Sequence, residues 1–453
     1  MSTIAAIATG QAAGGIGIVR ISGENALFVA DRIFKTVSGL KLNTLSGYKA
    51  AFGTVFLDEK PLDEAIATVF RAPKSYTGED VVEISCHGGL YVTKQVLRAA
   101  LQNGAVPAEA GEFTKRAFLN GKLDLAKAEA VMQLISAQGE QARAASFNTL
   151  EGALSREIAA VSADLKSVSA SLAAWVDYPD EEIDDLSDEA IAQSLDKAIR
   201  ALQALLVRFD SGKVILNGVD TAIVGKPNVG KSTLMNVLVG AEKSIVTDIA
   251  GTTRDIVEET VTVGNVVLRL SDTAGLRDTA DTVERIGVER ARKKIENAAL
   301  VLALFDNSAP LTDADTDLFA LCKGKKAIAV VNKTDLDGAW NTKILDTVFN
   351  KVIYISAKEN TGVENLEKAI EETLGTADFD PSAATLMNER QHACCLAALE
   401  SLKEAKSAQD SGLTRDAVNV SIDAAIESLD TLTGEKATES VVNEIFSRFC
   451  VGK

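Results

Sequence analysis

One octapeptide limits the folds open to this chain more than any other segment. Gly225-Lys-Pro-Asn-Val-Gly-Lys231-Ser232 follows directly on an apolar, strand-like stretch, Val219–Val224, and precedes a helix-compatible run, Thr233–Val239. In that setting a GxxxxGKS loop turns successive backbone N–H groups toward phosphate oxygens, with the positive end of a helix dipole behind them. Asn228, Val229, Gly230, Lys231, Ser232 and Thr233 are therefore expected to hold a nucleotide. Lys231 would bridge the β- and γ-phosphates, and the Ser232 hydroxyl would ligate Mg²⁺. A chance glycine turn would not carry both flanks as well. Such a loop needs a βαβ setting, so part of the chain must be doubly wound.

Three further segments extend the site. The strand-like Val266–Leu270 leads to Asp272, Thr273, Ala274 and Gly275, with Asp272 placed for the Mg²⁺ shell and the Gly275 N–H for the γ-phosphate. Between lies a polar loop, Thr247, Asp248, Ile249, Ala250, Gly251, Thr252, Thr253, Arg254 and Asp255, suited to switching, with Thr253 completing the Mg²⁺ coordination. Farther on, Ala327–Val331 leads to Asn332, Lys333 and Asp335. A carboxylate there accepts two hydrogen bonds from guanine N1–H and the exocyclic amine, a donor pair adenine lacks. Val352–Ile355 then leads to Ser356, Ala357 and Lys358, whose backbone N–H can meet the guanine oxygen. The nucleotide is expected to be GTP.

Leu276 stands where Ras-like enzymes place the glutamine that orients attacking water. Leucine cannot do so, and another element must stabilise the transition state. Asn228 with carbonyls from Thr247 to Thr252 could cage a monovalent cation in the place of an arginine finger, an element worth on the order of 4–7 kcal/mol. Glu284 either polarises water or is a helix N-terminal acid favoured by the dipole.

Texture divides the chain. Residues 1–118 mix short β-branched runs with glycine turns and one helical stretch, Tyr91–Leu101, as in a small α+β domain. Residues 119–213 are rich in Ala, Leu, Ser and Glu. There Leu123, Ala126, Ala130 and Leu134 share one helical face, and Leu154, Ile158, Val161, Leu165, Val168 and Leu172 another. Residues 214–376 alternate strand and helix, and residues 377–453 return to helix. The simplest architecture is a helical domain interrupted by an inserted α/β domain; separate helical domains on either side are the alternative.

The charge is −17, which excludes a uniformly basic nucleic-acid binder but not a local basic patch. No apolar run reaches the length of a membrane span, and the N-terminus lacks a basic secretory n-region. Five cysteines make neither a disulfide framework nor a CxxC zinc pattern, and two histidines exclude a histidine-rich metal site. A cytoplasmic protein is expected. The segment Asp177–Glu189, eight acids and no base, is either a docking site for a basic partner or a solvated loop with Ser187 capping the next helix. His87, where a strand meets Gly88-Gly89, reads as a hydrogen-bonded turn residue, with catalysis the alternative, and His392 as packing or capping. Cys450, next to Val451, Gly452 and Lys453, is either a nucleophile or cofactor contact, its thiolate favoured by Lys453, or a buried thiol under a docked terminus.

Residues 111–125 (Gly-Glu-Phe-Thr-Lys-Arg-Ala-Phe-Leu-Asn-Gly-Lys-Leu-Asp-Leu), the nucleotide motifs and the terminal Phe-Cys-Val-Gly-Lys together resemble the MnmE (TrmE) family of tRNA-modification GTPases. The likeness covers essentially the whole chain, and Val451 replaces the family's usual isoleucine. It implies an N-terminal folate-binding, dimerising domain and a Ras-like G domain inserted in a helical one. It implies a homodimer that joins the FAD-containing MnmG (GidA) in a heterotetramer acting on tRNA. Such complexes place an aminomethyl or carboxymethylaminomethyl group at carbon 5 of the wobble uridine, with a 5-formyl- or methylene-tetrahydrofolate donor and K⁺-stimulated GTP hydrolysis. By the same likeness, Arg20, Glu83, Lys122 and Lys453 are folate contacts, with Glu79 close to Glu83 in sequence. Asn228, Thr247, Ile249 and Thr252 are K⁺ positions, Ser232 and Thr253 Mg²⁺ positions, and Glu284, Cys450, Arg254 and Asp255 the catalytic candidates. A ribosome-assembly or membrane-associated GTPase switch without chemistry of its own, and a structural scaffold, are the competing readings.

Overall fold

The computed structural model describes residues 1–177, 187–241, 259–270 and 292–453. The N-terminal part comprises β1 (Ile4–Ile7), β2 (Ile16–Ser22), α1 (Ala26–Ile33), β3 (Phe34–Thr36), β4 (Lys49–Leu57), β5 (Lys60–Phe70), β6 (Val81–His87), α2 (Leu90–Gln102), β7 (Val106–Pro107) and α3 (Glu112–Leu119). Its strands form one sheet in the order β3-β4-β5-β6-β2-β1-β7, antiparallel except for the β1–β7 pair. Val19 and Ile21 of β2, Val82 and Ile84 of β6, and residues of α1 and α2 make a core on one face. Strand alternation puts Arg20 and Glu83, paired in register, on the other face. The single helical stretch expected here is α2; α1 and α3 are additional. Each has eight residues, too short for a 3.6-residue period to stand out from its neighbours.

Four helices follow: α4 (Leu125–Ser136), α5 (Glu140–Leu150), α6 (Ala153–Asp177) and α7 (Asp188–Asn217). Asp124 caps α4 by accepting the Lys127 N–H, so Leu123 lies just outside the helix whose face it was expected to share. Ser187 caps α7 by accepting from Ala190, a bond worth about 1 kcal/mol. Residues 178–186 of the acidic segment lie outside the described residues. The texture change at Val214 falls in the last turn of α7.

The α/β part begins with β8 (Val219–Val224) and continues through α8 (Lys231–Ala241), β9 (Glu259–Val263), β10 (Val266–Leu270), β11 (Leu300–Asp306), α9 (Asp313–Cys322), β12 (Ala327–Asn332), β13 (Lys351–Tyr354) and α10 (Val363–Leu374). The sheet order is β13-β12-β11-β8-β10-β9, parallel except for β9 with β10. Alternate residues of β11 serve two cores: Leu300, Leu302 and Leu304 pack with α8 and α10, whereas Val301, Ala303 and Phe305 pack with α9. A sheet buried on both faces explains the near-continuous apolar strands.

The chain ends in α11 (Glu389–Asp410), α12 (Arg415–Thr433) and α13 (Glu439–Ser447). One core joins Leu154, Leu165, Leu195 and Leu202 from before the α/β part to Cys395, Leu402, Ile422 and Leu429 from after it. The helical domain is therefore a single domain with the α/β domain inserted. Entry and exit run side by side, with Lys213 Nζ 2.5 Å from Glu389 Oε1. His392 stacks on Phe209 with ring centroids 4.3 Å apart, the packing role expected of it. Among the described residues no helix is long and apolar enough to cross a membrane.

Candidate functional site

The loop between β8 and α8 has the backbone a phosphate cradle needs. Gly225 (φ 152°) and Gly230 (φ 98°) occupy the region that favours glycine, and Asn228 is left-handed at φ 64°. A Cβ on Gly225 would lie 2.5 Å from the Leu304 carbonyl oxygen, and one on Gly230 would strike the Asn332 amide. Lys231 Nζ donates to the carbonyls of Gly225 (2.8 Å) and Lys226 (2.6 Å), folded over its own loop. Burial, with Lys294 adding repulsion, pushes the Lys231 ammonium below the usual lysine range. A phosphate would relieve both effects. Asn228, Ser232 and Thr233 are exposed at the loop and the head of α8, and Val229 is buried under it.

Asn332 ties the segments expected to read the base to this loop. Its Nδ2 donates to the Val229 carbonyl at 2.8 Å, and its Oδ1 accepts the Ala357 N–H at 3.0 Å. The Ser356 hydroxyl donates to Asp335 Oδ1 at 2.6 Å; that bond first, despite slight desolvation, holds the Asp335 carboxyl below the usual range. Asp335 is thereby kept ionised and oriented for two N–H donors. Lys333, at φ 64°, pairs with Asp306 at 2.6 Å, and Lys358 is exposed. The arrangement fits a guanine nucleotide with a cation at its phosphates, because the open hydroxyl and amide oxygens of Ser232 and Asn228 stand at the cradle's rim. Among the described residues no group of three or more His, Cys, Asp or Glu forms a metal site of its own. Thr247, Asp248, Ile249, Ala250, Gly251, Thr252, Thr253, Arg254, Asp255, Asp272, Thr273, Ala274, Gly275, Leu276 and Glu284 lie outside the described residues.

A second assembly forms where the C-terminus meets the N-terminal sheet. Val451 bridges Ala110, and Gly452, at φ 98°, packs against the Ile7 carbonyl. The Cys450 carbonyl accepts the Gly111 N–H at 3.4 Å, and the Lys453 carbonyl accepts the Phe113 N–H at 3.2 Å. Arg20 Nε pairs with Glu83 Oε1 at 2.8 Å, and its Nη1 donates to the Gly452 carbonyl at 3.2 Å. The Arg20 guanidinium stands 5.6 Å from the Tyr76 ring and 5.5 Å from the Phe113 ring. Burial, then Arg20, lowers the Lys453 ammonium, while Glu83 and Cys450 oppose them. Cys450 is exposed, so it is not a buried thiol under the docked terminus.

Three of the four residues expected to act together, Arg20, Glu83 and Lys453, are thus neighbours. Lys122 lies on the loop between α3 and α4, with its Nζ donating at 3.0 Å to the carbonyl of Pro73, on the β5–β6 loop that carries Tyr76. Glu79, the sequence neighbour of Glu83, is committed to Arg116 and Ser22. His87 is hydrogen-bonded as expected, with Nδ1 2.7 Å from Asp63 Oδ1, but it is the last residue of β6, paired with Ile16, and not part of the turn. Tyr76 and Phe113, which flank Arg20, were not singled out from the sequence. Phe113 lies within the 111–125 motif and Tyr76 in none, but neither sequence position points to Arg20, because that role arises only when loop, sheet and α3 converge. The same holds for Asp315, buried on α9 and 2.6 Å from Lys226 of the phosphate loop.

Two family profiles match the chain: the GTP-binding protein TrmE N-terminus over residues 3–122, and the MnmE helical domain over residues 125–450. The tRNA modification GTPase MnmE of Alkaliphilus metalliredigens is 40% identical over 456 residues, spanning 100% of this chain and 99% of that protein. That of Bacillus licheniformis is 39% identical over 459 residues, spanning 100% of both. Among solved structures, the G domain of the T. maritima FeoB iron transporter matches 34% of this chain and 98% of its own, with 25% identity and a TM-score of 0.26. The full-length identity and the two profiles suffice without it. The chain belongs to the MnmE family of tRNA modification GTPases.

Proposed function

We propose that the chain is the GTP-hydrolysing subunit of a complex that installs an aminomethyl or carboxymethylaminomethyl group at carbon 5 of the wobble uridine of certain tRNAs. The observation that carries this reading is the docked terminus, where Arg20, Glu83 and Lys453 gather beside an exposed Cys450. A GTPase switch without chemistry of its own would not need that cluster. A tetrahydrofolate bearing a formyl or methylene unit offers pterin N–H donors to Glu83 and an anionic tail to Arg20, Lys453 and Lys122. Cys450 acts at the transfer of the one-carbon unit.

In the G domain, Lys231 and the loop N–H groups hold the phosphates while Asp335 selects guanine. Bound Mg²⁺ (Ser232, Thr253) and K⁺ (Asn228, Thr247, Ile249, Thr252) would supply the positive charge that replaces an arginine finger. Glu284 positions water, and Arg254 and Asp255 belong to the loop that senses the γ-phosphate. In this reading residues 1–118 bind folate and dimerise, 119–213 with 377–453 form the helical domain, and 214–376 hydrolyse GTP. The homodimer works in the cytoplasm with the FAD-containing MnmG (GidA), which supplies redox chemistry and much of the basic tRNA surface.

Mass spectrometry of tRNA nucleosides from cells lacking the gene tests the reading. The carbon-5-modified wobble uridine should vanish, return with the intact gene, and not return with Cys450→Ser. An unchanged nucleoside profile would leave a GTPase switch. Turnover equal in Na⁺ and K⁺ would remove the cation from the mechanism.

A further inference from the structure

We propose that Glu129 is a positioning residue that couples the G domain to the Cys450 tail; the proposal rests on the reading of both sites given above. Glu129 lies on α4 and is buried. Arg390 holds its carboxylate in a fork, Nε to Oε1 at 2.8 Å and Nη2 to Oε2 at 2.7 Å, and Gln391 Nε2 donates to Oε2 at 2.6 Å. The guanidinium also reaches the carbonyls of Thr431 (3.1 Å) and Leu432 (3.0 Å) at the end of α12. Gln391, fully buried, accepts the Met387 N–H at 2.7 Å through its Oε1. Met387 packs in the core of the G domain. One carboxylate therefore joins the chain leaving the G domain, the last turn of α12, and α4.

The turn of α4 before Glu129, on the adjoining face, leads to the tail. Leu125 and Ala128 pack with Val442, Phe446 and Phe449, the residue before Cys450. Gly434, directly after α12, is pressed on Leu125 and Phe118, where an added Cβ would lie 2.8 and 2.9 Å from their nearest atoms. A buried ion pair is a poor source of stability, because apolar residues of similar volume often do as well. Its directional bonds instead fix the register of three elements, which apolar contact would allow to slip. A shift of the α11 end must carry Glu129 and α4 with it, or break the fork.

Contiguity alone is not coupling, so the test reads both ends. The full-length chain with Mg²⁺ and K⁺ is saturated with GDP or with guanosine β,γ-imidotriphosphate. Cys450 alkylation by iodoacetamide is then timed by peptide mass spectrometry, which separates it from Cys394. In the native chain the Cys450 rate should differ about fivefold between the two nucleotides, a usual size for coupling between sites. Glu129→Gln should bring the ratio near one while GTP turnover stays within about twofold of the native value. Glu129→Asp, which keeps the charge, should restore part of the ratio. A Glu129→Gln chain with the full ratio, or a native ratio of one, overturns the proposal. If Glu129→Gln does not fold, Arg390→Lys, which keeps the charge but loses the carbonyl bonds, should bring the ratio near one instead, and a full ratio in that variant overturns the proposal equally. A native chain that binds both nucleotides without hydrolysis overturns the GTPase reading, while the alkylation ratio still decides the coupling.

Discussion

In the proposed function Asp335 reads guanine, and one neighbour sets the pH range over which it can do so. Its carboxyl is lowered by the Ser356 hydroxyl, so its ionised form, and guanine affinity with it, is present at and above the ordinary carboxylate range and is lost only as pH falls through the lowered value. Ser356→Ala should move the acid loss of GDP binding to higher pH, as read by fluorescent-GDP titration with circular dichroism as the control for fold. An unmoved acid limb would show that Ser356 does not set it. Asp335→Ala removes two hydrogen bonds to a charge, and guanine affinity should fall by about 100-fold in the same titration. Gly230→Ala tests the backbone itself. Its positive φ and the Asn332 amide leave no room for a methyl, so nucleotide affinity should drop even though no contact to the ligand is removed.

At the scale of the element, α9 reaches into the phosphate loop. Its N-terminus is closed by a capping box in which Asp315 accepts from Thr312, and the same buried carboxylate holds Lys226 at 2.6 Å. The Lys226 carbonyl in turn takes the Lys231 ammonium. Asp315→Ala should cost about 3 kcal/mol, from the lost cap and a charge left without its partner. The check is the G-domain transition in urea, followed alongside GDP affinity. Loss of stability with affinity intact would mean that α9 is scaffold only.

For the whole molecule, the terminus is the joint between domains far apart in sequence. Gly452→Val cannot keep φ 98° against the Ile7 carbonyl, so the tail should leave its seat. Folate binding, measured by calorimetry with 5-formyl-tetrahydrofolate, should fail, while GTP turnover stays within about twofold. Retained folate affinity would place the folate site elsewhere. The net charge of −17 repels phosphate at long range, so the isolated chain should bind tRNA more weakly than its complex at matched salt. Equal affinities would contradict that.

The sequence by itself determined whatever depends on local spacing. The phosphate loop, its flanking strand and helix, the Asn332–Asp335 and Ser356–Lys358 motifs and the Ser187 cap are contiguous, and each works through backbone geometry within a few residues. The long helices were legible because a 3.6-residue stripe over Leu154–Leu172 needs many turns to declare itself; α1 and α3 were not, because eight residues do not suffice. Only the tertiary structure decided which half of the helical domain packs with which, and that Tyr76 and Phe113 flank Arg20. It alone decided that Glu83 rather than Glu79 faces Arg20, and that Cys450 is exposed on a seated tail. Those facts are contacts between residues tens to hundreds of positions apart. They are set by burial and by the pairing of charges across the fold, which no local pattern records.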